Sequence, residues 1–320
     1  MDRVLKKLSL LIMVIVALVI PKLVRDPYFL HIINVSFLFA ISTYALNIMT
    51  GLTGQLNIAH AGFMGVGAYV SAVATTKLSL SFWVALPMAG VAAGIFGILI
   101  GWPLLRVRGI YFALTTLALG ELFFVVFDNW IPVTGGPMGI VGIPAPSPIH
   151  ISTSVSIAFQ SKTAFYYLCL TFLALSIYIN RELMNSRLGR AMFAIRENED
   201  LAQSIGVSIA QTKVVAFVLS TILCGISGSL FAHYFRFISP VSFTLGEMFR
   251  ILTMLVVGGM GTLSGPFVGT FIFTALPEML RSVEAYQWVA YGLILMLCVA
   301  FMPEGIVGFI NRMVRDRQIR

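Results

Sequence analysis

Charge is what this chain has least of. Asp, Glu, Lys and Arg together make up 11% of its 320 residues, where a soluble domain carries about a quarter. With 58% hydrophobic residues and a mean hydropathy of +0.94, the composition excludes the soluble globular and disordered classes. Cysteine is nearly absent. Cys169, Cys224 and Cys298 lie far apart inside apolar runs, with no CxxC spacing, and an odd count argues against a disulfide framework. They read as buried, inert thiols. Chemical motifs are missing as well. There is no GxxxxGK[ST], so the chain cannot cradle a triphosphate in a P-loop, and Gly258–Gly265 is glycine-rich but lacks the lysine that would reach phosphates. No HExxH or GxSxG occurs, and His31, His60, His150 and His233 are scattered without ligand spacing. A membrane enzyme or metal site is therefore unsupported, and no cofactor is expected on this chain.

What is present is a succession of apolar runs, at about 8–24, 28–49, 57–76, 82–105, 109–127, 164–180, 213–233, 248–261, 264–277 and 287–303. A span takes about 20 apolar residues, so the expectation is an all-α polytopic membrane protein of about ten helices, forming one transmembrane domain over 1–320. The runs 248–261 and 264–277 are short, and a re-entrant hairpin is the alternative to two full spans. Arg3, Lys6 and Lys7 precede the first run, but Pro21-Lys22 follows it in place of a small-residue cleavage site, so it reads as an uncleaved first helix.

The formal charge of +8 suggests topology and not a nucleic-acid partner. If the N-terminus starts inside, the connections 1–7, 50–56, 106–108, 181–212, 262–263 and 304–320, together with Lys213, hold 14 of the 21 Lys and Arg. Basic residues collect on the cytoplasmic side, so ten crossings with both termini cytoplasmic fit. Two connections stand out. The outer stretch 128–163 is rich in Pro and Gly. The inner stretch 181–212 carries four arginines and four acids and is the one sizeable cytoplasmic surface.

Polar residues at membrane depth are the positive signals. Asn47, Thr50, Thr53, Gln55, Asn57 and His60 crowd between two apolar helices. Lipid offers such groups no hydrogen bonds, so they are candidates for lining or gating a pathway, with an ordinary solvated turn as the alternative. Glu121 sits deep in the fifth run, where a carboxylate costs about 3 kcal/mol on insertion scales. It is expected to be paired, protonated or functional. The Gly/Thr-rich stretch after Asn47 is weakly echoed by Gly258, Gly259, Thr262 and Ser264 six helices later. Matched breaks in two halves point to a transport site at a repeat interface, with plain helix connections as the alternative. Gly90, Gly94, Gly97 and Gly101 form a small-residue stripe that allows close helix approach.

Several separated motifs then fall together. Stretch 189–207, followed by Lys213-Val-Val-Ala-Phe217, resembles the cytoplasmic loop of ABC-importer permeases, and more narrowly the larger permease subunit of bacterial branched-chain amino acid importers. Gly51-Leu-Thr-Gly-Gln55, Ala59-His-Ala-Gly-Phe-Met-Gly-Val-Gly-Ala-Tyr69, Arg108-Gly-Ile-Tyr-Phe-Ala-Leu-Thr-Thr-Leu117, Thr134-Gly-Gly-Pro-Met-Gly-Ile140 and Val257-Gly-Gly-Met-Gly-Thr-Leu-Ser-Gly-Pro266 fit the same family. The resemblance covers about residues 30–310. It implies alternating access for Leu, Ile or Val in a bacterial inner membrane, and related permeases carry urea, amides or other amino acids. It also implies partners: a second permease completing the pathway, two cytoplasmic ATP-binding subunits that use the ATP, and a periplasmic or extracellular binding protein. Gly189, Arg190, Arg196, Glu197, Glu199, Ala202 and Gly206 would then couple to an ATPase. Small Ala202 suits close docking, the acids favour the helix start, and Gly206 suits its end. The sequence departs from the usual Glu-Ala-Ala pattern with Glu199-Asp200-Leu201-Ala202. A stand-alone secondary transporter is the rival class, and it would need no coupling loop.

Overall fold

The computed structural model describes residues 17–21, 26–107, 109–152, 155–157, 159, 161–279, 289, 292–293, 296–297, 300, 302 and 305–319. The run 8–24 lies largely, and the run 287–303 mostly, outside the described residues, as do Arg108 and Cys298. The remaining runs become helices: α1 (Pro27–Leu46), α2 (His60–Thr76), α3 (Phe82–Leu104), α4 (Ile110–Asn129), α5 (Lys162–Asn185), α8 (Ile209–Phe235), α9 (Leu245–Gly258) and α10 (Gly265–Met279). The charged stretch between α5 and α8 folds into α6 (Arg187–Glu197) and α7 (Glu199–Ser204), and α11 spans Gly305–Ile319. Among the described residues, six helices are long and apolar enough to cross a membrane, from the 19 residues of Pro240–Gly258 to the 27 of Ile209–Phe235. The protein is a helical, polytopic membrane protein.

Local chemistry sets the helix starts. Asp26 accepts a hydrogen bond from Tyr28 N–H (2.8 Å), Ser161 from Ala164 N–H (3.1 Å) and Ser186 from Gly189 N–H (3.0 Å), each satisfying a first-turn donor that the helix itself leaves free. Between α4 and α5 the Pro- and Gly-rich stretch 128–163 forms, as helix, only a four-residue turn at Ile131–Thr134 and a 3-10 turn at Gly136–Met138 among its described residues. It also contributes strands β1 (Ile140–Val141), β2 (Ile149–Ser152) and β3 (Val155–Ile157), and β4 (Phe237–Ile238) follows α8. β1 pairs antiparallel with β4, and β2 with β3. These short ribbons at one end are the departure from an all-helical chain.

α8 runs through the middle, against α1, α2 and α3. The glycine stripe of α3 explains how closely it approaches. A methyl group at Gly97 would lie 2.3 Å from Thr221 Oγ1, and one at Gly94 2.7 Å from Ile222 Cγ1. One core cluster gathers around α2, α8 and α9, and a second joins α1 to α5 through Phe37, Ile41, Tyr166 and Leu173. α4 lies beside α2 and α5 beside α1, and Tyr166 and Tyr167 of α5 donate to Ala17 O and Leu18 O of the helical segment 17–21. Cys169 and Cys224 are buried free thiols.

Candidate functional site

The polar residues after α1 do not form a solvated turn. Asn47–Gly51 is a π-helical extension of α1, a widened turn that recurs at functional sites. Asn47, Asn57, His60 and Thr53 are at most 1% exposed, Thr50 is 5% and Gln55 8% exposed. Their hydrogen bonds are internal. Thr53 Oγ1 donates to Met49 O (2.5 Å), Asn57 Oδ1 accepts from Ala59 N–H (3.1 Å), Thr50 Oγ1 accepts from Asn57 N–H (3.4 Å), and His60 Nε2 lies 3.0 Å from Ser42 O.

The structure brings the two glycine-rich breaks into contact. Asn47 Oδ1 accepts from Gly261 N–H (2.9 Å), while its Nδ2 donates to Thr262 O (3.3 Å) and to Asn180 Oδ1 on α5 (3.2 Å). Asn180 in turn donates to Tyr44 O (3.2 Å), and Tyr44 Oη–H to Leu263 O (2.7 Å). One amide therefore satisfies groups from three parts of the chain in a region where unpartnered polar atoms are expensive. Thr262 Oγ1 closes its own turn, donating to Gly259 O (2.8 Å) and accepting from Gly265 N–H (3.0 Å). Gly258 is buried between α9 and α10.

The loop between α5 and α8 is tied directly to this junction. Arg196, in the last turn of α6, donates from Nη1 to Gly51 O (2.7 Å). A methyl group at Gly261 would lie 2.3 Å from that Nη1, and Gly261 has φ +73°, so glycine is needed there on both counts. A second tie runs through Glu199. Its Oε1 accepts from Gln55 Nε2 (2.8 Å) and from Lys213 Nζ (2.5 Å), with Lys213 only 1% exposed.

α7 begins at Asn198, whose Oδ1 accepts from the N–H groups of Asp200 and Leu201, both at 3.0 Å. It ends as the sequence suggests: Gly206 is left-handed (φ +88°), and Val207 N–H bonds Ala202 O at 3.0 Å, closing a Schellman-type turn. The faces divide differently from the expectation. Ala202 is 2% exposed and packs inward, whereas Leu201 and Ile205 are 66% and 76% exposed, one helical turn apart. Glu197 is exposed, as is Arg190, which donates to Asn185 O (3.2 Å). Gly189 is buried at the α5–α6 corner.

Two sequence candidates make no side-chain hydrogen bond to the junction among the described residues. Ser264 is exposed, and Glu121 is exposed on the outer edge of α4 with no described partner in the chain. Asn180, Lys213, Leu201 and Ile205 were not singled out as site residues. A lone amide and a lone lysine at the ends of apolar runs were the only available signals for the first two. The outward apolar pair becomes apparent only once α7 has a face. No group of His, Cys, Asp and Glu suited to a metal occurs among the described residues.

A family model described as the permease component of the branched-chain amino acid transport system matches residues 28–302. The high-affinity branched-chain amino acid transport system permease protein LivM of Salmonella typhimurium is 32% identical over 319 residues, covering 94% of this chain and 75% of LivM. LivM of Escherichia coli matches equally, at 32% over the same shares. LivH of Escherichia coli, named as a permease protein of the same kind of system, is 26% identical over 292 residues, covering 83% of this chain and 92% of LivH. No solved structure matches the chain.

Proposed function

Because the chain belongs to the branched-chain amino acid transport system permease family, we propose that it forms one half of the membrane pathway of an ABC importer for Leu, Ile and Val. Separate ATP-binding subunits supply the energy, and this chain binds no cofactor. It acts as a single ten-span domain in a bacterial inner membrane, with both termini cytoplasmic. Loop 181–212 faces the ATPases, and loop 128–163 faces a soluble binding protein outside. A second permease completes the pathway on the side where α4 presents Glu121, since a carboxylate at membrane depth needs protein or water against it.

The observation that carries this reading is the wiring of α6 and α7 to both breaks. An ATPase surface docks on α7 through Leu201 and Ile205, apolar knobs that stand exposed among the described residues. The eleven-residue α6 acts as a short rod, and Arg196 at its end holds Gly51 O. The Glu199 bonds to Gln55 and Lys213 carry the same movement to the loop after the π-helix and to the base of α8. Asn47 passes it across to Gly261 and Thr262. Glycine turns and a π-helical segment can change their dihedrals with little steric resistance, so displacement of α6 and α7 switches the breaks between their two arrangements. A junction with few fixed charges passes a zwitterion with an aliphatic side chain without trapping it.

The test is Arg196→Ala in the complex reconstituted with its second permease and ATP-binding subunits. ATPase binding stays intact while leucine uptake falls at least about tenfold and hydrolysis stops responding to cargo; Arg196→Lys restores part of the response. Uptake and cargo-stimulated hydrolysis at the unsubstituted level in Arg196→Ala would overturn the wiring. Leu201→Ala with Ile205→Ala, in contrast, weakens ATPase binding itself.

A further inference from the structure

At the end of the bundle away from α6 and α7, a cavity of about 400 Å³ opens between the starts of α1 and α5 and the end of α8. Its size falls within the range of about 300–1,000 Å³ common to ligand sites. Phe159, Phe165, Tyr234 and Phe235 supply aromatic walls, and Lys162 and Arg236 supply two permanent cations. Among the described residues that line it there is no Asp or Glu. The two lining histidines are already committed within the protein. His31 Nδ1 lies 2.7 Å from Tyr234 Oη, and His233 holds Pro144 O at 2.7 Å and Ser71 Oγ at 2.9 Å. Lys162 uses one donor on Pro27 O (3.2 Å), and the Arg236 side chain has no hydrogen-bond or ion-pair partner among the described residues.

Arg236 is unusual in its backbone too. It caps α8 in the left-handed conformation, at φ +55° and ψ +16°, where glycine is the unstrained choice. Strain of this kind is held in place by surrounding structure. Here Ile143 N–H donates to Arg236 O (3.2 Å), and β1 pairs with β4 just beyond. The chain therefore keeps a guanidinium where its backbone favours glycine, at the mouth of a cavity whose described lining carries Lys162 and Arg236 and no acid.

The location identifies the anion. Helix ends of membrane spans lie at the headgroup level, where Tyr rings such as that of Tyr234 settle and anionic lipids present phosphate to basic side chains. The cavity sits where the starts of α1 and α5 meet the end of α8. We propose that it binds an anionic phospholipid, with Lys162 and Arg236 sharing the headgroup phosphate and the aromatic walls receiving the glycerol backbone and the first methylenes of the acyl chains. The proposal does not depend on the transport reading.

The test places the full chain in nanodiscs of phosphatidylcholine with and without phosphatidylglycerol, reading bound lipid by native mass spectrometry and stability by thermal unfolding. Phosphatidylglycerol is retained and raises the melting temperature of the unsubstituted chain. Lys162→Gln with Arg236→Gln lowers its affinity about 30-fold, the worth of two basic side chains at an anionic surface. Arg236→Gly unfolds no earlier than the unsubstituted chain in pure phosphatidylcholine, because the backbone strain is gone, yet loses most of the phosphatidylglycerol response. Unchanged lipid retention in the double variant, or in Arg236→Gly should the double variant not fold, would overturn the assignment. So would equal stabilisation by glycerol phosphate or inorganic phosphate, which would mark a free-anion site, or by leucine, which would mark a site for a zwitterion.

Discussion

Asn47 and Glu121 are both polar side chains set into apolar helices, and they end in opposite situations. Asn47 is fully buried and bonded to Asn180, Gly261 and Thr262. Glu121 is exposed on α4, the least buried of the six membrane-length helices, with 33% of its apolar window inside the chain against 61% for α8. The same rule governs both, since a polar group away from water needs a partner. For Asn47 the fold supplies it. For Glu121 no described residue supplies it, and in the proposed importer a second subunit or water in the pathway does. A residue's cost in the membrane therefore indicates that it is answered, but not which chain answers it.

The strongest way to break this contrast is Asn47→Leu. It leaves Gly261 N–H without its acceptor and removes a donor from Asn180 and Thr262, at about 1–3 kcal/mol for each orphaned buried group. The isolated chain should unfold at much lower denaturant or fail to accumulate; a melting temperature within a degree or two of the unsubstituted chain would show that water replaces the amide. Lys213→Met comes next. Breaking a buried pair by removing one partner costs about 3–5 kcal/mol, reduced here because Glu199 is 18% exposed. Adding Glu199→Gln should recover most of the loss in chemical denaturation, and no recovery would mean that the pair is not the source of the effect. A smaller effect is expected for Gly261→Ala, about 1–2 kcal/mol from the left-handed backbone, with the Arg196 contact displaced as well. If uptake and stability both survive it, the turn is not held as described. Glu121→Leu should be the mildest for the chain alone, within about 0.5 kcal/mol of the unsubstituted stability, while assembly with the second permease or leucine uptake falls. A destabilised isolated chain, or unaffected uptake, would remove the contrast from which the argument starts.

Much of the helical layout was legible because lipid leaves few options. Long apolar runs must close their own backbone hydrogen bonds, so the runs from 28–49 to 264–277 became helices close to their expected limits. The glycine stripe on α3 was legible for a similar reason, since its spacing alone places it on one face. The loop 181–212 was assigned to coupling by family resemblance alone, while Gly206 as a helix end was legible from local backbone chemistry. The inward turn of Ala202 and the outward display of Leu201 and Ile205 were not legible. Six residues of helix carry too little periodicity to define a face before α8 packs against it. The ribbons in 128–163 were also missed, because a Pro- and Gly-rich stretch disfavours a long helix without naming the strand that pairs with it.

By itself, the sequence determined that this is a helical membrane protein, that it carries no GxxxxGK[ST] stretch, and that one charged stretch, 181–212, interrupts its apolar runs. Each of these follows from composition, spacing or local backbone chemistry. Only the tertiary structure decided that the two breaks touch, that Asn47 and Arg196 join them to that loop, and that Glu121 looks outward. Those facts depend on pairs of residues some 60 to more than 200 positions apart, and no local propensity encodes which distant hydrogen-bond partner a buried polar group will find.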